Sequence, residues 1–407
     1  MKLGSIQLLR ALAALIVVIY HIRSIEGGMI DAQGGGEATF ITGLWAKGFS
    51  GVDLFFVISG FIMVFVTGEA RARPQTAVIF LFSRASRIYP LWWLFASLMA
   101  AYFWVTYGLP YDVERTLGAD MIEQTPILHL VFSYLLIPQP GWPVLGVGWT
   151  LVHEMYFYIG FTLLLLLPCR FRGWALGLWG TGVIAGSVAG FSAPFAGNYL
   201  QLVFHPMTLE FVMGGFAALL VVNGRVFRPA LVTVAGTVLF IAALIWHPDP
   251  EQHPQDQLMS TLQWGRVIWF GIPAAILVYG LASLDIRGRF RAPGFAVSIG
   301  DWSYALYLSH MFTLSALKRI FPVAADIAEN RLGLPAGSAD FLRVGTPGLA
   351  DNLVFLATAL VASLTVAWIS YRFFEQPALR LFGRLRAQLF DSRRLRLHPA
   401  PIRGAVW

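Results

Sequence analysis

The sequence predicts an all-α polytopic membrane protein: a single bundle of about ten transmembrane helices with both termini in the cytoplasm. Three observations carry this. Of 407 residues, 57% are hydrophobic and 13% charged, and the mean hydropathy is +0.66, a balance too apolar for a soluble globular chain. Apolar windows of about 20 residues, each long enough to cross a bilayer, recur along the whole length. Arginines gather in alternate connections between those windows, which is the charge asymmetry that fixes membrane orientation.

The windows fall at 4–25, 49–68, 86–108, 146–168, 174–192, 198–222, 229–246, 262–284, 299–320 and 350–374. The first resembles a signal peptide, but it is long, holds a histidine and lacks a small-residue cleavage site, so it reads as a retained span. A further run from Pro126 to Ile137 is too short to span and reads as a re-entrant or interfacial piece. With ten spans the inner connections hold Arg71, Arg73, Arg84 and Arg87, then Arg170 and Arg172, then Arg225 and Arg228, then Arg287, Arg289 and Arg291. The tail adds Arg380, Arg384, Arg386, Arg393, Arg394, Arg396 and Arg403. The outer loops carry acidic runs, Asp112, Glu114, Asp120 and Glu123, then Asp249, Glu251 and Asp256, with scattered bases at Lys47, Arg115 and Arg331. Counting 126–137 as an eleventh span would put the arginine-rich tail outside, so it is rejected.

No soluble domain fits between the spans. Residues 1–377 read as one membrane domain and 378–407 as a basic cytoplasmic tail suited to an anionic leaflet. The net charge of +7 arises from arginines dispersed over short loops, which is not the footprint of a nucleic-acid-binding module. The one cysteine, Cys169, excludes an intramolecular disulfide. Gly34 to Gly36 and the proline-rich 138–143 mark irregular outer loops, either walls of an acceptor site or simple connectors. Aromatic residues near span ends, such as Tyr89, Trp92 and Trp93, read as an interfacial belt.

Ionisable residues inside spans are expensive and therefore mark function. Arg10 and His21 lie eleven positions apart, which returns both to nearly one helix face with a rise of roughly 16 Å. Either that sets a phosphate-binding group in line with a titratable imidazole, an arrangement suited to a long phosphate-bearing donor, or Arg10 snorkels to lipid headgroups and His21 caps the far interface. The expected depths of Asp53 and Glu154 place both carboxylates at the level of His21 on the outer side, where either a carboxylate orients the histidine as a general base, or Asp53 bonds a helix start and Glu154 pairs with a neighbouring span. On the inner side Arg84 and Arg87, at i and i+3, present two guanidinium forks on one helix face. Further deep groups are His205, Glu210, Asp301 and His310, and Arg372 with Glu375, which are spaced to pair. The eight histidines are scattered and there is no HExxH, so no metal site is expected. P-loop, dinucleotide and nucleophile-elbow signatures are also missing.

These residues sit in six ordered motifs: Arg10-x10-His21, Gly51-Val-Asp-Leu-Phe-Phe-Val-Ile-Ser-Gly-Phe61, Arg84-x-x-Arg87, Gly148-Trp-Thr-Leu-Val-His-Glu154, Ser303-Tyr-Ala-Leu-Tyr-Leu-Ser-His310 and Phe374-Glu-Gln-Pro377. Together they resemble the acyltransferase-3 family of integral membrane acyltransferases, in its exopolysaccharide O-acetyltransferase-like branch. One departure stands out: many members have Ser-x-Glu in the fourth span, whereas here Val152 takes the serine position and Glu154 is kept.

The resemblance implies O-acylation of an extracytoplasmic or lipid-linked glycan hydroxyl from cytoplasmic acyl-CoA, with acetyl-CoA as the expected donor and no permanently bound cofactor. It implies that Arg84 and Arg87 hold CoA phosphates, Arg10 steadies the donor and His21 meets the thioester, in a multi-pass protein of the bacterial inner membrane. Two routes stay open, deprotonation of the sugar hydroxyl by the histidine or acylation of the histidine itself. The competing class is a transporter or flippase of a lipid-linked sugar without chemistry.

Overall fold

The computed structural model describes residues 3–32, 45–108, 125–193, 196–247, 263–335, 337–344 and 349–390. The glycines 34–36, the outer-loop charges Asp112, Glu114, Arg115, Asp120, Glu123, Asp249, Glu251 and Asp256, and the tail arginines Arg393, Arg394, Arg396 and Arg403 lie outside them.

The described residues build helices and connecting turns, with no strand among them. In a bilayer this is the economical solution, since a helix satisfies its own backbone hydrogen bonds. In chain order they are α1 Gly4–Ala32, α2 Ser50–Thr67, α3 Pro74–Tyr107, α4 Pro126–Leu135, α5 Trp149–Leu164, α6 Cys169–Val188, α7 Tyr199–Val203, α8 Thr208–Val222 and α9 Pro229–Trp246. There follow α10 Gln263–Arg266, a π turn over Val267–Gly271, α11 Ile272–Ile286, α12 Gly294–Asp301 and α13 Ser303–Asn330. Finally α14 Leu349–Ser370 passes through a second π turn, Tyr371–Glu375, into α15 Gln376–Phe390.

Seven helical stretches among the described residues are long and apolar enough to cross a membrane: Gly4–Ile30, Ser50–Thr67, Pro74–Tyr107, Tyr199–Val222, Pro229–Trp246, Gln263–Ile286 and Asn352–Phe390. The other three expected spans are also helical, as α5, α6 and α13, but fall short of that standard in length or apolarity.

Helix α1 is the central post. It packs against α2, α11, α12, α13 and α14, and its inward face is small or β-branched, with Ala13, Ala14, Val17, Val18 and Ile22 fully buried. The tightest crossing joins α2 to α8. A methyl group on Gly60 would lie 2.0 Å from the Phe211 carbonyl oxygen, and one on Gly214 would lie 1.9 Å from that of Val57. Only glycine permits this backbone-to-backbone contact. Beside it Phe56, Phe211 and Phe157 stack with ring centroids 4.5 and 4.3 Å apart, tying α2, α8 and α5 into one layer.

Two sequence expectations change. The run at 126–137 forms a ten-residue helix, α4, whose last carbonyls are capped from the middle of α3. Tyr89 Oη donates to the Leu135 oxygen at 2.9 Å, Trp92 Nε1 to Ser133 at 3.0 Å and Trp93 Nε1 to Tyr134 at 3.0 Å. Trp92 is completely buried, so it serves this cap rather than a membrane interface. In addition α3 begins at Pro74, well before the expected 86. At 34 residues it is about 51 Å long, so Arg84 and Arg87 stand three turns inside a helix rather than at its opening.

Candidate active site

Helices α1, α2, α3, α5 and α13 enclose a cavity of about 310 Å³. Its lining includes Arg10 from α1, Arg84 and Arg87 from α3, Glu154 and Tyr158 from α5, and Tyr304 and Tyr307 from α13. Three guanidinium groups thus face one carboxylate in the wall. The local sequence explains how they converge: Arg84 and Arg87 share one face of α3, and Arg10 rises from the α1 face turned toward it. Arg10 Nη1 donates to Gln7 Oε1 at 3.4 Å and feels the charges of Arg87, Glu375 and Glu154. Arg84 lies over the Phe80 ring, 5.4 Å from its centroid, and its buried Nε has no hydrogen-bond partner among the described residues.

Glu154 is held in this cavity by two hydroxyls. Ser59 Oγ donates to its Oε1 at 3.0 Å, and Tyr158 Oη donates to the same oxygen. Ser59, from the 51–61 motif, therefore supplies a hydroxyl to the carboxylate while Val152 occupies the family's serine position. Glu375 is a second buried carboxylate near Arg87 and Arg10. It does not pair with Arg372 as their spacing suggests; Arg372 is exposed and donates to Gln376 Oε1 at 3.3 Å.

Tyr307 is part of the cavity lining, and its hydroxyl lies 2.9 Å from Thr150 Oγ1. One helical turn farther along α13 stands His310, its ring centroid 5.8 Å from that of Tyr307 and 4.9 Å from that of His21. The backbone fixes both tautomers, because a carbonyl can only accept. His21 Nδ1 lies 2.9 Å from the Val17 oxygen, and His310 Nδ1 lies 3.1 Å from the Leu306 oxygen. Each Nδ1 therefore carries its hydrogen. The one His21 Nδ1 hydrogen is then shared between the Val17 oxygen and His310 Nε2, 3.3 Å away, and the lone pair on His21 Nε2 is left free as the base.

Asp53 is elsewhere. Arg266, just before the first π turn, grips it bidentately, Nε to Oδ1 at 3.1 Å and Nη2 to Oδ2 at 2.8 Å. Its guanidinium also stacks over Phe49 and Trp149, 4.9 and 5.8 Å from the ring centroids. Fully buried Glu210 feels both Asp53 and Arg266. The expected convergence of His21, Asp53 and Glu154 gives no hydrogen bond among the three in the described residues, and each has a different partner. His21 meets His310, Asp53 meets Arg266, and Glu154 joins Arg10, Arg84 and Arg87. Each carboxylate is claimed by another helix: Glu154 on α5 by Ser59 of α2, and Asp53 on α2 by Arg266 of α10.

Sequence reasoning noted His310 as a deep group and part of a motif without giving it a role, and it passed over Arg266. An arginine four residues into the apolar window 262–284 was the available signal.

A family model described as an acyltransferase domain matches residues 3–372, nearly the whole chain, and so takes in every residue of this site except Glu375. The chain belongs to the acyltransferase-3 family. Within it the chain is similar to the exopolysaccharide production protein ExoZ of Rhizobium meliloti (strain 1021), 33% identical over 83% of this chain and 92% of the relative. It is also similar to the acyltransferase MdmB of Streptomyces mycarofaciens, 28% identical over 95% and 94% of the two chains. Protein 2 in the picA locus of Rhizobium radiobacter is 37% identical over 31% of this chain and 76% of its own length. No solved structure matches. Family membership together with the apolar helices makes this a multi-pass membrane acyltransferase.

Proposed function

We propose that the protein is an acyl-CoA-dependent O-acetyltransferase of the bacterial inner membrane that acylates a hydroxyl of an extracytoplasmic or lipid-linked glycan such as an exopolysaccharide. Ten spans with both termini inside set the Arg84 end toward the cytoplasm and the His21 end toward the acceptor. The observation that carries this reading is the cavity whose wall holds three guanidinium groups with one carboxylate and also includes Tyr307, which touches the His21–His310 pair. Arg84 and Arg87 hold phosphates of the donor, Arg10 steadies the pantetheine arm as it runs along α1, and Glu154 with its two hydroxyl donors keeps Arg10 in place. Asp53 acts on the site through Arg266, which it orients under Trp149 and Phe49. The printed name of the ExoZ relative supports a polysaccharide acceptor.

In the chemical step His21 Nε2 takes the proton of the acceptor hydroxyl as its oxygen attacks the thioester carbonyl. The C–S bond then breaks and the imidazolium returns the proton to the departing thiolate. His310 accepts from His21 Nδ1–H and stabilises the imidazolium that forms. Membranes with and without the protein, supplied with radiolabelled acetyl-CoA, test the reading: label enters an acid-stable glycan or glycolipid only with the protein present. Absence of transfer from acetyl-CoA, with surface glycans of deletion cells unchanged by mass spectrometry, would refute it. Arg84→Ala and Arg87→Ala each raise the donor KM by about tenfold or more, because a hydrogen bond to a charged group is worth about 1.5–3 kcal/mol.

A further inference from the structure

The expected tail is not all tail. Residues 376–390 form α15, which folds back along α3. Its apolar face is anchored at two points one turn either side of Arg386. Phe382 and Phe390 both meet Phe82 edge-on, with centroids 6.3 and 5.9 Å away, and Gln75 Nε2 donates to the Phe390 carbonyl at 3.4 Å. Positions 382, 386 and 390 share one helix face, so this docking turns Arg386 onto α3. There its Nη1 donates to Ser83 Oγ at 2.8 Å. The acceptor is well prepared, because the Ser83 hydroxyl hydrogen is already given to the Ile79 carbonyl at 2.7 Å.

Ser83 immediately precedes Arg84. Arg386 therefore brings another guanidinium beside Arg84 and Arg87, close enough that Arg84 feels the charge of both. Four guanidinium groups, Arg10, Arg84, Arg87 and Arg386, share two carboxylates, Glu154 and Glu375, and the buried Arg84 Nε has no hydrogen-bond partner among the described residues. The cluster calls for a multiply charged anion. Among the described residues Arg386 uses one of its five N–H groups, on Ser83.

Resting on the acyl-CoA reading above, we propose that Arg386 is a donor-binding residue that takes the ribose 3′-phosphate, the phosphate monoester farthest from the thioester. Order along the donor supports this assignment. The thioester points to Tyr307 and His21, the diphosphate follows at Arg87 and Arg84, and Arg386 stands outside the cavity lining, on Ser83 next to Arg84. A phosphate of an anionic lipid headgroup offers the same chemistry, so the test separates the two sources.

The full chain is reconstituted in discs of neutral lipid, and acetyl transfer is titrated with acetyl-CoA and with acetyl-(3′-dephospho)-CoA. Turnover of the unaltered protein with acetyl-CoA stands for the underlying reading and is scored first. For the unaltered protein, dephosphorylation raises the donor KM about tenfold or more with kcat kept. Arg386→Gln raises KM for acetyl-CoA by a similar factor and leaves that for the dephospho donor unchanged, and Arg386→Lys recovers part of the loss. Equal effects of Arg386→Gln on both donors, or none on either, overturn the assignment even though the protein is an acetyl-CoA-dependent enzyme. A loss seen only in discs containing anionic lipid, whichever donor is used, gives the site to a headgroup and overturns it as well. Thermal unfolding of Arg386→Gln beside the unaltered protein separates a folding defect, to which Arg386→Lys is then the deciding comparison.

Discussion

Replacing Arg266 with methionine distinguishes a structural from a catalytic Asp53. The side chain of Asp53 is fully buried and that of Arg266 is 11% exposed, and the two bonds between them, at 3.1 and 2.8 Å, use both carboxylate oxygens. Methionine keeps the apolar stem against Phe49 and Trp149 but strands Asp53 beside Glu210, itself fully buried with neither oxygen hydrogen-bonded among the described residues. Removing one partner of a buried pair costs about 3–5 kcal/mol, a large share of the ~5–15 kcal/mol that holds a typical domain folded. Thermal unfolding of the purified protein in one detergent reads this directly: Arg266→Met unfolds well below the unaltered protein. Adding Asp53→Asn to Arg266→Met removes the stranded charge and restores part of the difference, giving a coupling energy of the size found for groups in one network. If Asp53 instead serves His21, Asp53→Asn cuts kcat with no change in unfolding temperature and Arg266→Met is silent. That pair of results refutes the assignment.

Other outcomes follow from the same geometry. His21→Ala lowers acyl transfer by about 10²–10⁴ while the protein still inserts, measured as kcat on purified, folded protein. Glu154→Gln, in the arginine cavity rather than at the histidine pair, raises the donor KM, and its loss multiplies with that of His21→Ala. A shared unit would give no further loss in the double variant. Gly214→Val drives a side chain into the Val57 carbonyl and forces α2 from α8, so it lowers the unfolding temperature more than Gly383→Val, where a Cβ meets nothing within 4 Å. Reporter fusions after Arg73 and Arg289 are cytoplasmic and those after Asp120 and Asp256 external, as the positive-inside asymmetry requires.

How much of this was legible in the sequence depends on whether the information lay within one helix. Arg10 and His21 are on the same helix, so a fixed rise per residue orders them, and the structure keeps one in the cavity and the other beyond it. Arg84 and Arg87 are read the same way: spacing alone put them on one face, although the helix begins twelve residues before the expected boundary because Pro74 at its first turn starts it earlier. Hydropathy finds segments that must leave water, and it finds α1 and α2 for that reason. It weakens at α5 and α13, whose polar residues face protein partners, such as Glu154 with Ser59 and Tyr307 with Thr150.

What crosses between helices was not legible. Glu154 meets Ser59 of α2 and the arginines of α1 and α3, partners on other helices that no periodicity within α5 records. Asp53 pairs with a residue more than two hundred positions away, and His21 with one nearly three hundred away. Those two pairings divide the labour of the site. A carboxylate beside His21 would hold it permanently cationic and spend the lone pair needed to deprotonate a hydroxyl. A neutral His310, donating its own Nδ1–H to Leu306 and accepting from His21, leaves that lone pair on Nε2 and supports the positive charge only once it appears. The carboxylates are more useful where the structure has them, balancing arginines: Glu154 and Glu375 against Arg10 and Arg87, and Asp53 against Arg266. On the proposed acyl-CoA reading, separating fixed charge from the base lets one bundle attract a polyanionic donor without protonating the group that would do the chemistry.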